Sequence, residues 1–236
     1  MRLNKFISES GKASRRGADK LIEAGRVTVN GKKAKVGTQV EPGDDVRVDG
    51  NQLYIAPRSN VYIALNKPVG ITSTTEKKVK GNIVDLVNYP SRIFHIGRLD
   101  KDSEGLLLLT NDGDIVNEIL RSENEHEKEY IVSVDKAITP DFIKQMSEGV
   151  HILDTKTLPC EIEKITNYEF KIILKQGLNR QIRRMCEALG YNVTRLQRLR
   201  IMNIELGNLP IGQWRYLSKK EKDRLFDNLD YEEKQW

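Results

Sequence analysis

Cysteine is scarce in this chain, and Cys160 and Cys186 are its only thiols. Two cannot build a disulfide framework. They show no CxxC spacing and have no nearby histidine pair, so buried thiols are a better reading than metal ligands. Histidine is almost as scarce. His95, His126 and His151 are scattered, and no zinc site is legible. Long apolar runs are missing: no stretch approaches the ~20 residues of a membrane span. The start, Met1-Arg2-Leu3-Asn4-Lys5, lacks the apolar stretch and small-residue cleavage site of a secretory signal. Glycine-rich phosphate loops and metal-ligand spacings are absent too. A cytoplasmic protein with no membrane partner and no metal is the expectation.

What is present is charge. The composition, 38% hydrophobic and 31% charged, suits a globular protein with a modest core and a heavily charged surface. The net charge is +5. That balance alone says little about partners, but its distribution says more. Residues 2–35 hold ten Lys/Arg against three acidic residues, and residues 177–200 hold six Arg against one Glu. Positive charge therefore sits in two blocks.

The first block reads as a small unit over residues 1–50. Leu3, Phe6 and Ile7 suggest a helix. Ser14 is an N-cap for a second, with Ala18, Leu21 and Ile22 on one face and Gly25 as its stop. Val27 to Val29 is a short strand, Asn30-Gly31 a tight turn, and Glu41-Pro42-Gly43-Asp44 another turn before the alternation of Val46 and Val48. Residues 51–59 read as a linker. From residue 60 to 221, strands alternate with occasional helices. Strands are expected at Tyr62–Asn66, Leu106–Thr110, Tyr130–Val134 and along Tyr168, Phe170, Ile172 and Leu174. Helices are expected from Ile115, from Thr139-Pro140, and from Gln181 to Leu189. The fold class is α+β, with a mixed, mainly antiparallel sheet and helices on one side. Residues 222–236 read as a polar tail that frays.

Two segments carry candidate chemistry. The first is Gly97-Arg98-Leu99-Asp100, followed by Gly105-Leu106-Leu107-Leu108-Leu109-Thr110-Asn111-Asp112-Gly113. An Asp in a loop just before a buried strand can be held rigidly, as a nucleophile or general base must be. It also reads as a turn Asp. The second is Gly177-Leu178-Asn179-Arg180-Gln181-Ile182-Arg183-Arg184-Met185, whose three arginines open a helix. They read as a solvated or phosphate-contacting face. An arginine turned inward needs a carboxylate partner, and Asp100 is a candidate.

Residues 97–113 resemble the signature of the RsuA/RluF-like branch of pseudouridine synthases. Asn66-Lys67-Pro68-Val69-Gly70 resembles that family's first motif, Lys128-Glu129-Tyr130 its tyrosine motif, and Gly177 to Met185 its third. Residues 1–50 resemble the alpha-L RNA-binding domain of the ribosomal protein S-four type. The likeness reaches about residue 218. The wording of Asp100-Lys101-Asp102-Ser103-Glu104 and Gln176 to Arg180 is most similar to members that modify large-subunit RNA; Ser103 stands where many relatives carry Thr and keeps the hydroxyl.

The resemblance implies a pseudouridine synthase catalytic domain and isomerisation of uridine in ribosomal RNA, most similar to the large-subunit (23S) enzymes. That chemistry needs no cofactor. Asp100 is implied as the carboxylate acting at the ribose, by addition or by proton removal. Arg183 is implied as its ionic partner. Tyr130 is implied to stack on the extruded uracil and to assist proton loss at carbon 5; as a residue of a strand it reads equally as a core aromatic. RNA contacts are expected from Lys12, Arg15, Arg16, Lys20, Lys32 and Lys33 in the first unit, and from Asn66, Lys67, Arg98, Arg180 and Arg184 in the second. The RNA is expected free or within a precursor particle, with a tRNA as a further candidate. Two other classes stay in view. A non-catalytic ribosome-associated factor has no need of Asp100, Tyr130 and Arg183 together. A glycoside hydrolase needs a second carboxylate, for which Asp102 or Glu104 is available.

Overall fold

The computed structural model describes residues 1–55, 59–76, 78–121 and 125–232. The chain divides into two compact units, one ending at Ser59 and one running from Asn60 to Glu232.

In the first unit, α1 (Leu3–Glu9) and α2 (Arg15–Glu23) precede four short strands, β1 (Val27–Val29), β2 (Lys32–Lys33), β3 (Val46–Val48) and β4 (Asn51–Gln52). Ser14 caps α2 by accepting the Gly17 N–H at 3.0 Å. Asn30 and Gly31 both have positive φ, 50° and 76°, as the hairpin turn between β1 and β2 demands. The antiparallel order is β2-β1-β3-β4. Leu3, Ile7, Ala18, Ile22, Val27, Val40, Val46 and Val48 form the core. The expected linker at 51–59 begins too early, because Asn51 and Gln52 pair with Val48 and Arg47 and extend the sheet.

The second unit contains β5 (Tyr62–Lys67), α3 (Ile83–Val87), β6 (Phe94–Ile96), β7 (Glu104–Thr110), α4 (Gly113–Leu120), β8 (Lys128–Val134), α5 (Pro140–Ser147), β9 (His151–Ile152), β10 (Thr155–Lys156), β11 (Glu161–Lys164), β12 (Glu169–Leu174), α6 (Gln181–Ala188), β13 (Val193–Ile201), β14 (Ile204–Glu205), β15 (Trp214–Tyr216) and α7 (Lys219–Leu229). The main sheet runs β11-β12-β8-β13-β7-β5-β15, with β14 on β13 and β6 on β7. Among its described pairings only β13 with β7 is parallel.

Both faces of this sheet are covered. That is why β5 and β7 are near-continuous apolar runs, while β12 alternates with Phe170, Ile172 and Leu174 inward. One face carries Ile63, Leu65, Leu107, Leu109, Val132 and Ile172, packed against residues of α3, α5 and α6. The other carries Tyr62, Ala64, Leu106 and Leu108, packed against α4 and α7. The expectation of helices on one side is therefore corrected.

So is the fraying tail as far as residue 232, residues 233–236 lying outside the described residues. Ser218 and Glu221 form a reciprocal capping box, and α7 follows with Leu225 fully buried. The Tyr231 hydroxyl donates to Asp112 at 2.7 Å, and the Tyr62 hydroxyl to the same oxygen at 2.7 Å. The helix looked polar because one apolar stripe suffices to dock it. Leu225→Ala is expected to lower stability by about 2–5 kcal/mol, the range for emptying a buried leucine site. Urea unfolding with an unchanged midpoint would remove α7 from the core.

Candidate active site

The site grows out of one rung of the main sheet. Lys67 on β5 stands opposite Gly105 on β7, Gly105 opposite Arg198 on β13, and Arg198 opposite Tyr130 on β8. Residues in direct register share a face. The apolar face that begins with Ile63 and Leu109 thus ends in Lys67, Arg198 and Tyr130, all buried. Gly105 makes the rung possible. A Cβ there would lie 2.3 Å from the Arg198 carbonyl oxygen, and its φ is +103°.

Two buried cations lie on this rung. The Lys67 ammonium is wholly enclosed and donates to the carbonyls of Pro68 and Ile71, both at 2.8 Å. Burial pulls its pKa down to about 8 against the opposing pull of Asp102, Asp100 and Glu104. Arg198 donates through Nε to the Leu106 carbonyl at 2.7 Å, and its Nη1 lies 3.5 Å from the Arg98 carbonyl. No carboxylate pairs with Arg198 among the described residues.

Asp100 lies in the loop between β6 and β7. Leu99, beside it, is anchored in the core, while the Asp100 side chain is about one-third exposed, at 33%. The Ser103 N–H donates to the Asp100 carbonyl at 3.1 Å and tightens the bend. The arginine nearest to the Asp100 carboxylate is Arg180, with Nη1 at 3.5 Å from Oδ2. Arg180 also clamps Asp102 with two bonds of 3.1 Å. This hydrogen bonding, with the charges of Arg183 and Arg180, holds the Asp102 carboxyl below the usual range.

The expected pairing of Arg183 with Asp100 is corrected. Arg183 donates through Nη2 to the Asp102 carbonyl at 2.8 Å and Ser103 Oγ at 3.2 Å, and through Nη1 to the Val193 carbonyl at 3.2 Å. Its Nε stands 3.4 Å from Asp102 Oδ2. Arg180 is the N-cap of α6, in left-handed conformation at φ 52°, which brings it to the loop tip. Arg183 lies one turn inside the helix and is drawn under the loop.

Asn66 and Lys67 are withdrawn from the surface, which corrects their expected RNA contacts. Asn66 is 3% exposed and donates to the Leu209 carbonyl at 2.7 Å. Arg98 is exposed; Arg184 is half-buried and bonded to Asn179. In the first unit, Lys12, Arg15, Arg16, Lys20, Lys32 and Lys33 are all exposed and form no ion pair among the described residues, whereas Arg26 and Arg47 are taken by Asp49 and Asp45. The alternative second carboxylates are occupied: Asp102 by Arg180, and Glu104 by Arg195 at 2.7 Å. Tyr130, at 9% exposed, belongs to the core cluster as well as to the rung. Burial pushes the Cys160 thiol up to about 11 and the Cys186 thiol up to about 12, the latter against the lowering charge of Arg183 on the same helix.

Two residues escaped the sequence reading. Arg198 had a signal in its period-2 spacing from buried Leu196, but the surrounding arginines made it look like surface. Ser73, whose hydroxyl bonds to Leu99, had none.

Comparison with known proteins follows the same division of the chain. The RNA pseudouridylate synthase family model matches residues 61–188, and the S4 domain model matches residues 1–46. A protein of Escherichia coli (strain K12) named Dual-specificity RNA pseudouridine synthase RluF is 58% identical over 233 residues, covering 98% of this chain and 80% of the relative. Ribosomal large subunit pseudouridine synthase B of Bacillus subtilis (strain 168) is 36% identical, covering 95% of both chains. A crystal structure described as a pseudouridylate synthase superposes with a TM-score of 0.71 at 29% identity, covering 95% of this chain and 99% of that one.

The two arginines separate by experiment. Arg183→Met should cost about 1–3 kcal/mol, because it strips partners from the carbonyls of Asp102 and Val193. Arg180→Met, at an exposed pair, should cost about 1 kcal/mol or less. Urea midpoints in the reverse order would refute this assignment of buried and rim roles.

Proposed function

The chain belongs to the RNA pseudouridine synthase family, and from that premise we propose that it isomerises a uridine of large-subunit (23S) ribosomal RNA with Asp100 as the reacting carboxylate. The family reaction breaks the bond between uracil nitrogen 1 and ribose carbon 1′. It turns the base and rejoins it through carbon 5, which loses its proton. One carboxylate at the sugar is required. Asp100 suits the task because it is the carboxylate presented from a rigid loop beside the sheet rung, with a cation at 3.5 Å. The neighbouring carboxylates are bonded more tightly, Asp102 by the same Arg180 at 3.1 Å and Glu104 by Arg195 at 2.7 Å.

On this reading Arg180 orients the Asp100 carboxylate from the rim, and Arg183 fixes the loop beneath it. Tyr130, on the same rung, stacks on the uracil and assists the proton loss at carbon 5. The target base leaves its stack at a cost of about a few kcal/mol, recovered through contacts in the site. Arg98 and Arg184, at the rim, contact the surrounding RNA. The exposed cations of the first unit supply phosphate contacts that position without reading sequence. The assignment to 23S RNA draws on the wording of residues 100–104 and 176–180 and on the Bacillus subtilis relative's name. Free RNA, a precursor particle and a tRNA are the substrates to compare, the last because the Escherichia coli relative is named dual-specificity.

Asp100→Asn should keep the fold and the RNA affinity and abolish pseudouridine formation, since amide replaces carboxylate at nearly equal volume. Residual turnover above a few per cent in a tritium-release assay would sink the assignment. Replacing Arg15, Arg16 and Lys20 together with Gln should weaken RNA binding and flatten its dependence on log salt by about 2–3. The single-turnover rate at saturating RNA should stay as in the parent. Parallel salt titrations with equal slopes would mean that these side chains do not touch phosphate.

A further inference from the structure

The loop that carries Asp100 is gripped by another loop. Residues 68–73 follow β5 directly, and the buried Lys67 ammonium closes them into a bend by holding the carbonyls of Pro68 and Ile71. Two ties run from this bend to the Asp100 loop. The Gly70 N–H donates to the Lys101 carbonyl at 2.7 Å. The Ser73 hydroxyl, on a residue 2% exposed, donates to the Leu99 carbonyl at 2.7 Å and accepts the Leu99 N–H at 3.2 Å. One hydroxyl therefore serves both backbone groups of the residue before Asp100. The ties fall on residues 99 and 101, leaving the Asp100 side chain clear between them.

We propose that Ser73 is a positioning residue for the reaction, setting the place of the Asp100 carboxylate through the Leu99 peptide groups. The proposal rests on the reading of Asp100 as the reacting carboxylate. Three observations carry it. The hydroxyl is buried, so no water competes for its two bonds. The Arg198 hold on the preceding carbonyl is long, 3.5 Å, at the limit of a hydrogen bond, and leaves Ser73 as the tighter grip. Leu99 is also fixed by its side chain in the core, so that losing the hydroxyl tilts the peptide about that anchor. Such a tilt moves the neighbouring carboxylate without removing any group that meets RNA.

The test compares Ser73→Ala, Ser73→Thr, Ser73→Val, Asp100→Asn and Leu225→Ala in the full chain. The probe is an RNA fragment carrying the uridine that the parent converts. Folded fraction, RNA affinity and single-turnover rate at saturating RNA are read for each. Ser73→Ala should lower the rate per folded molecule about a hundredfold, the scale of a misplacement of about 1 Å, with RNA affinity unchanged. Leu225→Ala, destabilised far from the loop, should keep the parent rate per folded molecule. Thr and Val differ only in the hydroxyl, so Thr should recover most of the rate and Val should not, a comparison that stands even if the Ala variant does not fold. A parent rate in Ser73→Ala, or equal rates in Thr and Val, would overturn the proposal while Asp100→Asn remains inactive. Turnover by Asp100→Asn would overturn the Asp100 premise instead.

Discussion

Gly105 meets the main chain of Arg198 closely enough that no side chain fits between them. At this contact β7 and β13 pair in parallel, in a sheet whose other described pairings are antiparallel. The contact sets where β7 begins, and therefore where the loop before it must end. Asp100 lies five positions upstream of that glycine. A sheet displaced at Gly105 would carry the loop with it, and with the loop the spacing from Asp100 to Arg180 and from Asp102 to Arg183.

The charges around that point are arranged in two layers. Lys67 and Arg198 lie inside, bonded to backbone carbonyls, with Arg183 beneath the loop, while Asp100, Asp102 and Glu104 lie further out with Arg180 and Arg195. Burying a cation without a touching carboxylate is costly, so Lys67 and Arg198 are expected to be retained for what they hold. Lys67 shapes the bend at residues 68–71, and Arg198 supports the carbonyls of Leu106 and Arg98. The inner layer builds the loops, and the outer layer carries the partly exposed carboxylates of the loop.

Much of this was legible in the chain itself, and the reasons differ by element. Ser14, Asn30-Gly31 and Thr139-Pro140 announced local structure because a cap or a tight turn is settled within four residues. The alternation of Phe170, Ile172 and Leu174 announced a strand because one face is buried. By contrast α3 is five residues long, too short to show a period, and only Asn82, which accepts the Val84 and Asp85 N–H groups, marks its start. The tail was misjudged because α7 needs a single apolar stripe to dock.

The residues of the site divide in the same way. Asp100, Tyr130 and the arginine cluster became candidates through the resemblance of their segments to family motifs; on residue type alone Asp100 reads as a turn residue and Tyr130 as a core aromatic. Which arginine faces Asp100 was not legible, because Arg180 and Arg183 differ only in their place relative to the start of α6, and the left-handed conformation of Arg180 decides it. Burial of Asn66 and Lys67 was not legible either; a lysine beside a proline reads as surface until two sheet faces close around it. Ser73 is the clearest case. The sequence by itself determined the candidate residues and their order along the chain. The tertiary structure decided which of them touch, because the bonds from Ser73 to Leu99 and from Gly70 to Lys101 span 26 and 31 positions and exist only once β5, β6 and β7 have paired.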